Sequence, residues 1–226
     1  MLTLKPIARI RSDFSTKFGI PRQSGIVPGL RASLIFEEEY RNPDALRGLG
    51  DFSHIWLIWG FSEVKRESWS PTVRPPRLGG NARMGVFATR SPYRPNPIGL
   101  SSVRIDKIEK HPDYGMVIHV LGADLMDGTP IYDIKPYVPF TDLHPDASEG
   151  FADAPAQRLE VVAGEGCRGV MPEDEWEILR DLLAQDPRPA YQNDPSRVYG
   201  MEFGEYEVQF SIADKVLTVR SVERRS

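Results

Sequence analysis

Apolar and polar residues alternate along much of this chain with the two-residue period of half-buried strands. "LTLKPIARI" and "LRASLIF" open it in this way, and the second has strong β-branched and aromatic character. "SHIWLIWGF" is apolar at consecutive positions, which predicts a strand buried on both faces. "GLSSVRIDKIEK" and "GMVIHVLGADL" predict a hairpin joined around "HPDYG". "DLMDGTPIYDIKPYV" carries an Asp127-Gly128 turn leading into another strand. One short helix is expected in "RNPDALRGLG", with Asn42 as cap, Pro43 at the first helical position and Gly48 or Gly50 at the end. The strand–helix alternation of a doubly wound sheet is absent, so residues 1–140 are expected to form a β-barrel or closely folded sheet. Residues 141–157 lie in a Pro-, Asp-, Ser- and Ala-rich stretch that reads as a linker. Residues 158–226 then offer a strand "RLEVVA", a helix "PEDEWEILRDLLAQ", a loop "DPRPAY" and a closing hairpin of "YEVQFSI" and "KVLTVRSV". The expected fold is mainly β: an N-terminal β-barrel plus a small α+β C-terminal domain.

Composition narrows the class. The 226 residues, 40% hydrophobic and 27% charged, match an ordinary globular protein with material for a core. No apolar run approaches the roughly 20 residues of a membrane helix, and the N-terminus reads as a strand, not a signal peptide. Cys167 stands alone, which excludes an internal disulfide and fits a reducing compartment. The expectation is a cytoplasmic protein with no membrane partner.

A net charge of −4 argues against nucleic-acid binding by overall charge, but the distribution changes that picture. From Ser68 to Ile105 the only charged residues are Arg74, Arg77, Arg83, Arg90, Arg94 and Arg104. The use of Arg throughout suits planar, bidentate recognition of phosphate or carboxylate. Within "RMGVFATRSPYRPNPIGLSS" the prolines at 92, 95 and 97 fix φ and remove donors, holding Arg94 and Asn96 in place before a ligand arrives. Arg74, Arg77 and Arg94 are candidate contacts to an RNA backbone. Tyr93 either stacks on an RNA base or is a core tyrosine.

Two other signals fail in context. "GEGCRG" matches the G-x-G-x-x-G dinucleotide pattern, yet the following helix runs into "DPRPAYQNDPSR", too proline-rich for the parallel strand such a site requires. His54, His111, His119 and His144 show no metal-ligand spacing, so no metal is expected. No G-x-S-x-G elbow is present, and Cys167 has no evident basic partner.

"DFSHIWLIWGF", "RPPRLGGNARMGVFATRSPYRPNPIGLSS" and "DGTPIYDIKPY" together resemble the TsaA-like family of S-adenosylmethionine-dependent tRNA methyltransferases, and "LLAQDPRPAY" and "RVYGMEF" resemble the C-terminal domain of its bacterial members. The resemblance implies a non-Rossmann β-barrel that binds S-adenosylmethionine as a homodimer. It also implies methylation of N6 of the threonylcarbamoyl-adenosine just 3′ of the anticodon, position 37 of tRNA. Cofactor contacts implied by the matching motifs are Pro21, Arg22 and Gln23 of "PRQ", Arg90 of "ATRSP", Leu100 of "IGLS", and Asp127, Gly128, Thr129 and Pro130 of "DGTP". Ser62 and Glu63 stand where the family often presents a histidine and a second contact, a departure from its pattern. From spacing alone, Asp127-Gly128 reads as a hairpin turn that needs no ligand. Arg22 or Arg90 would clamp the cofactor carboxylate or an RNA phosphate. For the chemistry, Asp133 is the expected proton acceptor, with Lys135 or Asn96 holding the carbamoyl or threonyl carboxylate. The C-terminal unit, with Arg188 and Arg197, either extends the RNA surface or packs as a lid. A non-catalytic nucleotide-binding sensor, or a methyltransferase with another acceptor, stands as the alternative.

Overall fold

The computed structural model describes residues 3–64, 69–75, 78, 82–152, 158–188, 192 and 194–225. Strands β1 (Ala8–Ser12), β2 (Arg31–Phe36), β3 (His54–Gly60), β6 (Ile98–His111), β7 (Gly115–Leu121) and β8 (Pro130–Pro136) close into a barrel in the order β1-β2-β7-β6-β3-β8. All its pairings are antiparallel. The two-residue period explains the interior: Ala8 and Ile10, Leu34, Ile55 and Leu57, Val103, Ile118 and Val120, and Ile131 all point inward and are buried.

Strand β3 departs from its expected burial on both faces. Ile55, Leu57 and Trp59 are buried, whereas His54, Trp56 and Ile58 are only partly covered. Barrel closure gives β3 one true interior, and its apolar outer face is covered only in part, for instance by Tyr137 against Trp56 (ring centroids 5.4 Å apart). The expected helix after β2 is also different. Asn42 does cap, accepting from the Asp44 N–H at 3.0 Å, and Pro43 opens the turn. However, Gly48 enters the left-handed region (φ 82°), so the segment becomes two short 3-10 turns, Pro43–Leu46 and Leu49–Asp51.

A two-stranded ribbon of β4 (Thr72–Val73) and β5 (Met84–Gly85) leads into the proline-rich loop. After β8 the chain forms a single helical turn, α1 (Pro139–Asp142), where Asp142 accepts from the Trp56 indole N–H at 3.0 Å and from the Val138 N–H at 2.9 Å.

The second sheet has the order β10 (Val198–Phe203), β11 (Tyr206–Ala213), β12 (Val216–Arg224), β9 (Glu160–Ala163), with β12 and β9 parallel. Helix α2 (Glu173–Leu183) buries Trp176, Leu179, Leu182 and Leu183 in the same core. "GEGCRG" is a packed turn: Gly166 and Gly169 adopt positive φ, and Cys167 is buried in the second core.

The two units share chain. The irregular segment 13–30, between β1 and β2, sends Phe14, Val27 and Leu30 into the second core. At Gly19 the left-handed backbone (φ 90°) requires glycine, while an added Cβ would displace only the flexible end of the Met201 side chain of β10. This strap fixes residues 20–23 against the mouth of the barrel.

Candidate functional site

A cavity of about 680 Å³ opens where four segments meet: the strap, the end of β3 with Phe61–Val64, the proline-rich loop 89–97 leading into β6, and residues 124–129 before β8. A second, of about 650 Å³, adjoins it and shares Gln23, Thr89, Arg90, Pro92 and Tyr93. The loop is braced as its prolines predict. The Phe61 N–H donates to the Pro97 carbonyl (2.9 Å), and the Arg94 N–H to the Pro92 carbonyl (2.9 Å). The Arg94 guanidinium donates to the Thr89 carbonyl (3.2 Å), so it lines the cavity in a fixed position.

The arginine cluster is not neutralised internally. Among the described residues, none of Arg74, Arg83, Arg90, Arg94 and Arg104 lies within 4.0 Å of a carboxylate, although eleven Lys or Arg ion pairs form elsewhere. Arg90 instead donates to the Gln23 side-chain oxygen, which ties the loop to the strap. Arg74, Arg83 and Arg90 line the second cavity. Arg77 lies outside the described residues.

Of the residues expected to hold a cofactor, Pro21, Arg22, Gln23, Ser62, Glu63, Arg90, Leu100 and Thr129 all line the larger cavity. Asp127, Gly128 and Pro130 do not. The Asp127 carboxylate accepts from the Ser12 N–H (3.1 Å) and the Arg11 guanidinium (3.3 Å), and the Gly128 carbonyl accepts from Arg9 (3.1 Å). With Gly128 at φ 75°, this corner fastens β8 to β1 and leaves Thr129 facing the cavity.

Asn96, Tyr93 and Arg94 line the larger cavity as well, and Tyr93 is 40% exposed, so it is not a core tyrosine. Asp133 and Lys135 are not brought to it. They sit on the outer wall of β8, opposite Ile58 and Trp56, and form an ion pair with each other at 2.9 Å. Alternation alone would put Asp133 on the same inward face as Ile131, but a register shift against β3 between them turns Asp133 and Lys135 outward. Arg188 is bound by Asp186 at 2.8 Å, and Arg197 lies over the Tyr199 ring at 5.2 Å.

Other cavity residues carry no mark in the sequence. The Trp59 indole N–H donates to Ser101 Oγ (3.0 Å), and the Ser101 hydroxyl donates to Asp124 Oδ1 (2.6 Å). Ser101 is 1% exposed, so this chain of bonds forms the floor of the site. Enclosure pushes the Asp124 carboxyl above its ordinary value, while the Ser101 hydrogen bond, backbone N–H groups and the Arg90 charge oppose that rise. Phe61 packs against Trp59 at 4.3 Å between ring centroids. Outside the cavities, Trp69 and Phe87 stack at 6.2 Å and are 51% and 73% exposed.

The chain matches two family models: the tRNA-methyltransferase O N-terminal domain over residues 9–143 and the TrmO C-terminal domain over residues 166–225. It is 42% identical over 235 residues to a tRNA (adenine(37)-N6)-methyltransferase of Escherichia coli (strain K12), covering 97% of each chain. A candidate S-adenosylmethionine-dependent methyltransferase of Pseudomonas aeruginosa is 42% identical over 216 residues, covering 92% of this chain and 91% of the other. The crystal structure of TrmO from Pseudomonas aeruginosa superposes with a TM-score of 0.81 at 34% identity, over 99% of this chain and 98% of that one.

Proposed function

Because the chain belongs to the tRNA-methyltransferase O family, we propose that it transfers a methyl group from S-adenosylmethionine to N6 of the adenine at position 37 of tRNA, with threonylcarbamoyl-adenosine as the acceptor. The observation that carries this reading is the 680 Å³ cavity lined by Arg22, Arg90, Leu100 and Thr129, beside arginines that, among the described residues, form no salt bridge. Its size falls within the roughly 300–1,000 Å³ usual for small-molecule sites. Its lining matches the cofactor's chemistry: guanidinium groups for the carboxylate, apolar Ile20, Pro21 and Leu125 for the adenine and ribose faces, and aromatic rings toward the cationic end.

When bound, S-adenosylmethionine supplies the methyl carbon. The residues of this chain orient and desolvate. Gln23 holds Arg90 toward the cavity, and the proline-braced loop keeps Asn96 and Arg94 from paying an ordering cost on binding. Bringing acceptor and donor into line in this way is worth about 7–11 kcal/mol in favourable cases. Asn96, which lines the cavity, is assigned to hold the carbamoyl group. The pair of Asp133 and Lys135 is given no part in the chemistry.

The RNA approaches over the second cavity. Arg74 and Arg83 contact phosphates, and Tyr93, Trp69 and Phe87 offer faces on which splayed loop bases stack. A homodimer, as the family resemblance implies, would cover the exposed Phe140 and Leu143, at 87% and 59%. Among the described residues no helix is long and apolar enough to cross a membrane, and a tRNA substrate fits a cytoplasmic protein.

The test is the nucleoside profile of tRNA from cells lacking this protein, read by mass spectrometry. Loss of a methyl group from threonylcarbamoyl-adenosine, restored by the gene, is expected. An unchanged profile would favour a cofactor sensor or a different acceptor.

A further inference from the structure

We propose that Asp124 accepts the N6 proton of the acceptor base during methyl transfer, with Ser101 and Trp59 as its positioning residues; the assignment rests on the methyltransferase reading above.

Exchange of N6–H for N6–CH3 releases one proton per turnover. A carbamoylated N6 has its lone pair delocalised into the carbonyl, so the nitrogen attacks well only as that proton departs. In the step proposed, the N6–H proton passes to the Asp124 carboxylate as N6 bonds to the methyl carbon. The pair of the former carbon–sulfur bond stays on sulfur, so the sulfonium becomes a neutral thioether. Asp124 then returns the proton to solvent, and no oxidant or further reactant is needed.

Geometry selects Asp124. Among the described residues lining the larger cavity, the carboxylates are Glu63 and Asp124. Glu63 is exposed at the rim, in the segment after β3. Asp124 lies at the floor, and its orientation is fixed from behind. Ser101 Oγ already accepts the indole proton of Trp59, so its own proton is committed to Asp124 Oδ1. The backbone of Ser24, on the strap, and that of Asp124 itself also favour the charged carboxylate. Arg90 shares the cavity, yet no salt bridge closes between them, so the carboxylate is not consumed by its neighbour. The other ionisable groups lining the cavity are Lys17, Arg22, Tyr93 and Arg94. A carboxylate raised above its ordinary value by enclosure is a better proton acceptor than a solvated one.

The experiment compares the parent protein with Asp124→Asn, which keeps an oxygen for the Ser101 hydroxyl. Binding of S-adenosylmethionine is measured by calorimetry, and single-turnover methylation is followed across pH on tRNA bearing threonylcarbamoyl-adenosine. Expected are a Kd within about threefold of the parent and a saturated rate lower by about 10²- to 10⁴-fold. The acid limb of the parent's profile should be missing from the variant. In the parent itself, the ¹³C titration of the Asp124 carboxyl in cofactor-free protein should fall above the ordinary carboxylate range. With cofactor and tRNA bound, the same resonance should titrate along with that acid limb, a readout that survives even if the variant misfolds.

A variant that transfers methyl at the parental rate overturns the assignment. So does one whose only defect is cofactor affinity, or a bound-state titration that misses the acid limb. A parent that binds no S-adenosylmethionine would instead overturn the methyltransferase reading, and this assignment with it.

Discussion

Gly99 tests whether the floor of the site depends on the packing described for it. Gly99 pairs with Trp59 across β6 and β3. A Cβ built there falls inside the indole, within 2.6 Å of Cδ2 and closer still to two further ring atoms. In an open strand, Gly→Ala would stabilise by about 0.5–1 kcal/mol, because glycine loses the most backbone entropy on folding. Here the collision wins. Forcing the ring aside costs about 1–3 kcal/mol of overpacking. Breaking the 3.0 Å bond from Trp59 to Ser101 strands a buried polar group, at about 1–3 kcal/mol more. Gly99→Ala should therefore lower unfolding free energy by about 2–5 kcal/mol in urea denaturation, with the slope unchanged. Trp59→Ala in the same chain removes the atoms that collide, so the double variant should be less destabilised than the sum of the two singles. A Gly99→Ala protein within about 0.5 kcal/mol of the parent, with no coupling to Trp59, would refute this account of the floor.

Arg90→Ala removes a charge-assisted donor and should weaken S-adenosylmethionine binding by about 10- to 100-fold in calorimetry, from roughly 1.5–3 kcal/mol for such a bond; unchanged affinity would take Arg90 out of the cofactor site. Trp69→Ala should raise the KM for tRNA, matching the removal of a stack worth about 1–3 kcal/mol, while the Kd for S-adenosylmethionine stays put. Arg74→Ala should flatten the salt dependence of tRNA binding by about 0.7 in log K against log salt for each phosphate that the side chain no longer neutralises. Burial, with Glu175 adding to it, raises the Asp13 carboxyl above its ordinary value in the folded state. Ionisation there opposes folding, a cost absent below the unfolded-state value and complete above the folded one. Asp13→Asn should therefore raise Tm near neutral pH, at about 2–4 °C per kcal/mol for a chain of this size, and bring no gain in acid.

The strands were legible because the barrel is built from regular alternation, and β6 and β7 pair around the "HPDYG" turn as their pattern requires. The outer face of β3 was not. Consecutive apolar residues look alike whether the second face is fully or partly covered, and only closure of the barrel decides. Strand β10 was seen only as a likeness in "RVYGMEF": Tyr199, Met201 and Phe203 make an unbroken inward row, but Gly200 on the exposed face between them weakens the local strand signal. The strap 13–30 has no period at all, so nothing local announces that Phe14 and Leu30 belong to the second core.

At the site, the arginine and proline wording of residues 83–102 exposed the loop, but not which carboxylate it would face. Asp133 and Asp124 stand on opposite sides of the corner at Asp127–Pro130, and the register of β8 against β3 sends one to the outer wall and leaves the other under the cavity. That choice is made by tertiary pairing, and the residues around either aspartate do not record it. Likewise "DGTP" reads as a ligand-binding turn or a plain corner, and the bonds from Ser12 and Arg11 show that its aspartate serves the corner.

The central claim is met most directly by incubating the purified protein with S-adenosylmethionine carrying an isotopically labelled methyl group and tRNA bearing threonylcarbamoyl-adenosine, then digesting to nucleosides for mass spectrometry. The account predicts one labelled methyl on N6 of that nucleoside, formed about 10- to 100-fold more slowly by Arg90→Ala at limiting cofactor. Tight cofactor binding with no label transferred to the tRNA would contradict it.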